Sequence, residues 1–298
     1  MDLVRSKDGQ KMAKKDVKAA FTYLKWLDKY EKEKPYELLS GASREGENMT
    51  NLEFQIREQE ELVSDVRGEE SLFQLDSHGF CFRNTNTDFS AFYDREQVEG
   101  QYIPEIVKPL LKNNLDEVDR MFIFDWHLRR NESVTAPLNQ NLRDGTQPYA
   151  PAMKAHIDQS PLGTARRVRH HLGSEADELL KGRVRIINFW RPLYHTIVDA
   201  PLALCDGSTV ARRDCVFADF ITRDYRGETT WMLPSKEYKW YYLRDQRPEE
   251  AILLKIFDSD NHRKAKCCPH ASFILPDVPL HAPPRESIEI RALVFTNR

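Results

Sequence analysis

Midway along the chain, Lys154-Ala155-His156-Ile157-Asp158-Gln159-Ser160-Pro161 sets an imidazole and a carboxylate two residues apart. On a strand, alternate side chains share a face, so His156 and Asp158 project together while Ile157 turns into an apolar layer. This pair is two thirds of a 2-His-1-carboxylate triad, which binds Fe(II) on one face and leaves the opposite face open for a co-substrate and dioxygen. A chain with 9 His gives about one His-x-Asp by chance, so the triplet alone is weak. Its plain alternative is a surface or core histidine beside a solvated Asp.

A third ligand has to come from a distant element. Cys267-Cys268-Pro269-His270-Ala271-Ser272-Phe273 opens a late strand, and His270 at its start is better placed than His170 and His171 on a helix, or His262 and His281 in loops. Distant strands come side by side in a jelly roll, so the separation does not forbid a shared metal. A zinc site on Cys267, Cys268 and His270 is the rival, but adjacent cysteines point to opposite faces and lack Cys-x-x-Cys spacing.

Farther on, Arg285, Ser287, Glu289 and Arg291 form one face of a strand and Ile288, Ile290, Ala292 and Val294 the other. An outward polar face would be an ordinary solvated edge. Facing inward, Arg285 can fork a carboxylate while Ser287 adds a hydroxyl, which suits the far carboxylate of 2-oxoglutarate. Arg291, further along by roughly 20 Å at strand rise, is expected to lie too far from the metal to share that role. Val184, Ile186, Asn188 and Trp190 share a face of the Arg183–Arg191 strand. The amide and indole are expected to border the site, the alternative being a buried Trp with a satisfied N–H.

The elements that position these residues are short. Residues 1–15 are charged and expected to fray. Asp16 is expected to cap a helix with Val17, Phe21, Leu24, Leu27 and Tyr30 at helical intervals, followed by a polar arm over 31–51. Leu62–Gly68 and Ser71–Arg83 read as neighbouring strands, the second bent at Asp76-Ser77-His78-Gly79. Pro104 suits the first turn of a helix, Met121–Arg130 is a strand, and 131–151 is a long polar loop delivering the chain to His156. Ser160-Pro161 starts a helix that Gly173 stops, and a second helix follows from Ser174, with Asp177 at capping-box spacing. Strands are expected near 214–222, 229–233, 239–243, 251–258, 270–275 and 286–295, the rhythm of an all-β sandwich or barrel.

At 298 residues the chain buries a full core without staples. Its 44 basic and 47 acidic residues, net charge -3, give no excess to neutralise phosphates, so neither nucleic acid nor an anionic membrane is indicated. The 5 cysteines, an odd count with one adjacent pair, suit reduced thiols and a cytosolic compartment. There is no apolar leader or membrane-length run. The sequons at Asn48 and Asn131 are then chance matches. With no Gly-x-Gly-x-x-Gly or Walker loop, dinucleotide and P-loop folds are poor candidates.

His156-Ile157-Asp158-Gln159-Ser160-Pro161, Arg185-Ile186-Ile187-Asn188-Phe189-Trp190-Arg191-Pro192-Leu193, Lys239-Trp240-Tyr241-Tyr242, Pro269-His270-Ala271-Ser272-Phe273 and Arg285–Arg291 together resemble the fungal asaB-type hydroxylase/desaturase family. That family includes the fungal gibberellin desaturase and is similar to a bacterial cephalosporin 7-hydroxylase component. The likeness begins near Tyr30, includes Glu33-Lys34-Pro35-Tyr36-Glu37, and runs through Phe295. It implies a mainly β protein with flanking helices (α+β) built on a double-stranded β-helix (jelly-roll) oxygenase core, here 61–298 behind an N-terminal arm, 1–60. It further implies oxidation of a small molecule in fungal secondary metabolism with Fe(II), dioxygen and 2-oxoglutarate. The metal ligands would be His156, Asp158 and His270, and the co-substrate anchor Arg285 with Ser287. Because His270 and Arg285 stand farther apart than in plant-type oxygenases, Arg291 stays in play. Family members hydroxylate or desaturate, so the resemblance fixes a reaction class and no substrate. The rival readings are a catalytically inactive β-barrel binding protein on the same fold and a methyltransferase, which lacks the expected Gly-rich loop. Oligomeric state is not readable.

Overall fold

A computed structural model describes residues 14–39, 49–131 and 145–297. The charged start, part of the polar arm and most of the 131–151 loop therefore lie outside the described residues. Two sheets dominate. The smaller runs, in spatial order, Phe80–Asn84, Glu250–Asp258, Arg183–Pro192, Glu286–Thr296 and Arg120–Arg130, with every neighbour antiparallel. The larger has nine short strands, with Leu202–Cys205, His270–Ser272, His156–Ile157, Arg226–Met232 and Cys215–Ile221 in succession. In it His156 lies directly opposite His270.

Alternation decides what each face of the smaller sheet meets. Ile187, Phe189, Ile288, Ile290, Ala292 and Val294 point outward and are buried with Val98, Tyr102, Val107 and Leu111. Those last four lie on one helical run, Arg95–Asn114. Val184, Ile186, Trp190, Leu293 and Phe295 point inward, into the cluster that also holds Ile157, Leu204, Ala271 and Phe273 of the larger sheet. The site lies between the sheets, where polar residues interrupt this second cluster.

The two-residue and 3.6-residue patterns gave most of the later strands and the Pro161–Leu172 helix, where Ser160 Oγ accepts from Gly163 N at 2.9 Å. Four expectations are corrected. Val17–Tyr30 is not a helix: Val17–Ala19 pairs with Glu61–Asp65, Thr22–Leu24 pairs with Phe54–Ile56, and only Asp28–Glu31 turns helically. Asp16 accepts from Asp65 N at 2.9 Å and caps nothing there. Apolar spacing of three and four fits short strands with intervening bends as well as a helix, and sheet pairing decided. Residues 71–79 are not a strand but a 3-10 turn and a short helix, Leu75–His78, and the strands at 61–65 and 80–84 belong to different sheets. Gly79 is nevertheless a true turn glycine, at φ 89°, where a Cβ would lie 2.4 Å from the Cys267 carbonyl oxygen. Pro104 lies inside the helical run, in a π-wound stretch, where i→i+5 winding accommodates the missing N–H. Finally, Ser174 and Asp177 make no capping contact, because a 3-10 turn over Gly173–Glu175 runs straight into Ala176–Leu179.

The Glu33–Glu37 stretch serves as a clamp. Tyr36–Leu38 is the edge strand beside Cys215–Ile221, and Lys34 Nζ reaches Asp219 at 2.8 Å and Glu228. Asp219 also takes Arg166 at 3.2 Å and Arg226 at 2.6 Å. Burial works against its ionised form, but these cations pull its pKa from 3.8 down to about 2. A depressed carboxylate stabilises the fold above its unfolded pKa, and that share is lost as pH falls through the folded value. The Tyr36–Leu38 amides are therefore expected to lose hydrogen-exchange protection between about pH 4 and pH 2, at a cost on the order of 2 kcal/mol. Asp219→Asn should show the same loss at neutral pH, and unchanged exchange in that variant would contradict it.

Candidate metal centre

His156, Asp158 and His270 each offer a ligand atom within 4.8 Å of the others, and all three are buried. Asp158 Oδ1 is 3.3 Å from His156 Nε2 and 3.8 Å from His270 Nε2. The imidazole tautomers follow from their neighbours. His156 Nδ1 is 2.7 Å from the Lys154 carbonyl and His270 Nδ1 is 3.0 Å from the Cys268 carbonyl. A carbonyl only accepts, so each Nδ1 carries the proton and each Nε2 presents a lone pair to the shared point. Burial, then the neighbouring His156, lowers the His270 pKa and favours its neutral, ligating form.

The backbone makes this convergence possible. The Met232 amide donates to the Ala155 carbonyl at 3.2 Å, holding the chain just before His156 against the Arg226–Met232 strand. Directly after Asp158 the chain turns into the helix, where Gly163 passes so near that strand that a Cβ would sit 2.3 Å from the Glu228 carbonyl oxygen. Ser160 Oγ donates to the Glu228 carboxylate while accepting from Gly163 N.

Asp158 presents one oxygen to the histidines, because the other is taken. Its Oδ2 accepts from Asn188 Nδ2 at 2.6 Å and pairs with Arg291 Nε at 3.2 Å. Desolvation opposes the charge, yet Arg291 and His156 hold the Asp158 pKa well below the usual range. Asn188 gives its second N–H to Glu289 Oε1 at 2.6 Å. Glu289 in turn meets His127 Nε2 at 3.0 Å and Arg129 at 3.7 Å. Asn188 thus separates two buried carboxylates by donating to both. Its removal is expected to lower Fe(II) affinity by roughly 10- to 100-fold, the usual scale for an outer-shell partner. A metal titration of Asn188→Ala that matches the parent protein would refute this.

Arg291 is not remote, and the expectation based on strand rise is corrected. On the Glu286–Thr296 strand it reaches the metal cluster and touches Asp158 directly. Its guanidinium is, however, engaged by Asp158, by Glu289 at 3.5 Å and by Asp125 at 2.9 Å, and Asp158 and Glu289 raise its pKa against burial. Arg285 is the opposite case. It is 2 % exposed, and Nη1 donates to the Ala200 carbonyl at 2.6 Å and to Ser272 Oγ at 2.8 Å. Among the described residues, Nε and Nη2 have no hydrogen-bond partner, nor does the Ser287 hydroxyl. Burial, then repulsion from Arg129, pushes the Arg285 pKa down to about 9. Trp190 lies under this guanidinium, with Cζ 5.7 Å from its ring, so Trp190 belongs to the Arg285 end while Asn188 belongs to Asp158.

Glu289, His127 and Arg129 were given no role from the sequence. The signal was available: Asp125, His127 and Arg129 alternate along a strand opposite Arg291, Glu289 and Ser287, polar residues on a face that should otherwise be apolar. Cys267 and Cys268 take no part in a metal-suited cluster among the described residues, and all five cysteines are free.

The comparisons agree with this geometry. Residues 21–295 match the family described as oxidoreductase/YMDC permease-like domain. Among the described residues, no helix is long and apolar enough to cross a membrane. Aspirochlorine biosynthesis protein N of Aspergillus oryzae is 45% identical over 139 residues, 46% of this chain and 58% of that protein. The hydroxylase/desaturase efuI of Hormonema carpetanum is 32% identical over 251 residues, 78% of this chain and 82% of efuI. The Fe(II)/2-oxoglutarate-dependent dioxygenase nvfI of Aspergillus novofumigatus is 31% identical over 241 residues, with the same two coverages. A solved structure of the iron and alpha-ketoglutarate-dependent endoperoxidase NvfI superposes on 95% of this chain and 99% of its own, with a TM-score of 0.79 and 26% identity. With two imidazoles and one carboxylate converging between jelly-roll sheets, the chain belongs to the fungal hydroxylase/desaturase family of Fe(II)/2-oxoglutarate-dependent dioxygenases.

Proposed function

We propose that His156, Asp158 and His270 hold Fe(II), that Arg285 and Ser287 hold the far carboxylate of 2-oxoglutarate, and that the enzyme hydroxylates or desaturates an unactivated C–H of a small secondary metabolite. The observation that carries this reading is the pair of unsatisfied donors on Arg285 beside the unsatisfied Ser287 hydroxyl. A buried cation without a carboxylate is costly, and a dicarboxylate co-substrate would supply the missing partner. Spacing supports it: Arg285 bonds Ser272, two residues from His270 on the same strand face, so the anchor lies roughly 7 Å along the strand from that ligand. A five-carbon dicarboxylate has about that length.

Fe(II) together with 2-oxoglutarate and dioxygen supplies the oxidising power that breaks the C–H bond. The chain's own residues do the positioning. His156 and His270 keep Nε2 free through their carbonyl bonds, and Asn188 and Arg291 hold Asp158 so that one oxygen faces the metal point. The inter-sheet apolar cluster excludes water. The intact ligand set speaks against an inactive binding protein, and five free cysteines with a net charge of -3 support a cytosolic enzyme that handles small molecules and no nucleic acid. The test is succinate release from 2-oxoglutarate by iron-loaded protein across a metabolite panel. Stimulation by an acceptor, with a product one oxygen heavier or two hydrogens lighter, is expected. Absence of iron-dependent succinate with or without acceptors would defeat the reading.

A further inference from the structure

Three covered polar atoms near the metal cluster stand outside the network described above. Among the described residues, Arg167 Nε, His171 Nε2 and the Tyr225 hydroxyl have no hydrogen-bond partner. Arg167 and His171 lie one turn apart on the Pro161–Leu172 helix. Arg167 Cζ is 4.1 Å from the Tyr225 ring and 5.2 Å from the Phe124 ring. The His171 ring is 5.6 Å from both Phe122 and Phe124. These two phenylalanines precede Asp125, which Arg291 ties to Asp158. The group therefore lies on the Arg291 side of the metal cluster, whereas Arg285 and Ser287 lie toward the other end of the same strand.

A structural arginine in such surroundings normally has a carboxylate of its own. Among the described residues none lies within ion-pair distance of Arg167, and the acids whose charges it feels, Asp125 and Asp158, are already paired with Arg291. Stacking on two rings accounts for its orientation but leaves its covered Nε without an acceptor. His171 adds no charge, since burial and the neighbouring Arg167 push its pKa down to about 4. The group thus offers one positive charge, one imidazole and one hydroxyl at the edge of an aromatic wall.

We propose that this is the substrate site and that the substrate is an organic acid: its carboxylate is taken by Arg167, with His171 and Tyr225 beside it, and its carbon frame lies on Phe122 and Phe124. The proposal rests on the oxygenase reading and specifies which molecules that site accepts. Substrate and co-substrate then approach the metal from opposite ends, each held by its own arginine.

The test uses 1-naphthoate and its neutral partner 1-naphthamide as probes, titrated calorimetrically into iron-loaded protein saturated with 2-oxoglutarate without oxygen, so that Arg285 is already occupied. Naphthoate is expected to bind at least tenfold more tightly than the amide. That preference should vanish in Arg167→Gln and fall severalfold in Tyr225→Phe, a milder change that guards against a folding defect in the first. No naphthoate binding, equal binding of the amide, or a preference that survives Arg167→Gln would each overturn the proposal. The two readings fail separately. If wild-type protein binds 2-oxoglutarate but shows no naphthoate preference, only the acid site falls. If it shows the preference but never binds 2-oxoglutarate, only the oxygenase reading falls.

Discussion

Asp158→Ala is expected to abolish stoichiometric Fe(II) binding and all iron-dependent turnover, and His156→Ala or His270→Ala should do the same. Each residue would contribute one of three bonds at a shared point, with the candidate ligand atoms within 4.8 Å of one another, and a two-ligand remnant has neither the charge nor the geometry of the facial triad. The three variants should differ in stability. Asp158→Ala leaves one N–H of Asn188 without its acceptor and removes an ion-pair partner of Arg291, and an uncompensated buried charge costs about 3–5 kcal/mol. Arg291 keeps Asp125 and Glu289, so the loss should fall at or below the low end. His270→Ala strands only a backbone carbonyl, that of Cys268. Metal titration and thermal midpoints measured side by side test both halves. Full iron binding by any one variant would remove that residue from the ligand set.

Arg285→Lys is the second large effect. Lysine keeps the charge but loses the planar fork, so 2-oxoglutarate affinity should fall by roughly 1.5–3 kcal/mol, the scale of a charged hydrogen bond. Iron binding should persist, because Arg285 bonds Ala200, Ser272 and Asp199 and none of the three ligands. Arg291→Lys should behave in the reverse way, weakening the metal through Asp158 while leaving the co-substrate constant nearly unchanged. Calorimetric titration of each iron-loaded variant distinguishes the two arginines. A 2-oxoglutarate constant that holds in Arg285→Lys and climbs in Arg291→Lys would transfer the anchor to Arg291.

The strand character of Arg183–Pro192 and Glu286–Thr296 and the start of the helix at Ser160-Pro161 were legible because their causes are local. Alternation buries one row of side chains per face, and Ser160 caps the helix whatever surrounds it. The same alternation made His156 with Asp158, and Arg285 with Ser287, readable as pairs. The Val17–Tyr30 segment was misread because its burial is real but its hydrogen-bond partners, at Glu61–Asp65 and Phe54–Ile56, lie far along the chain.

What the sequence determined by itself was therefore which side chains share a face: His156 with Asp158, Arg285 with Ser287, Glu289 and Arg291. Only the tertiary structure decided which faces meet. It set His156 opposite His270, brought Arg291 onto Asp158 despite its distance along the strand, and, among the described residues, left two guanidinium nitrogens of Arg285 without an acceptor. The physical reason is that strand periodicity fixes direction within a few residues, whereas pairing, register and charge partnership arise between segments that the chain brings together only when the two sheets close on each other.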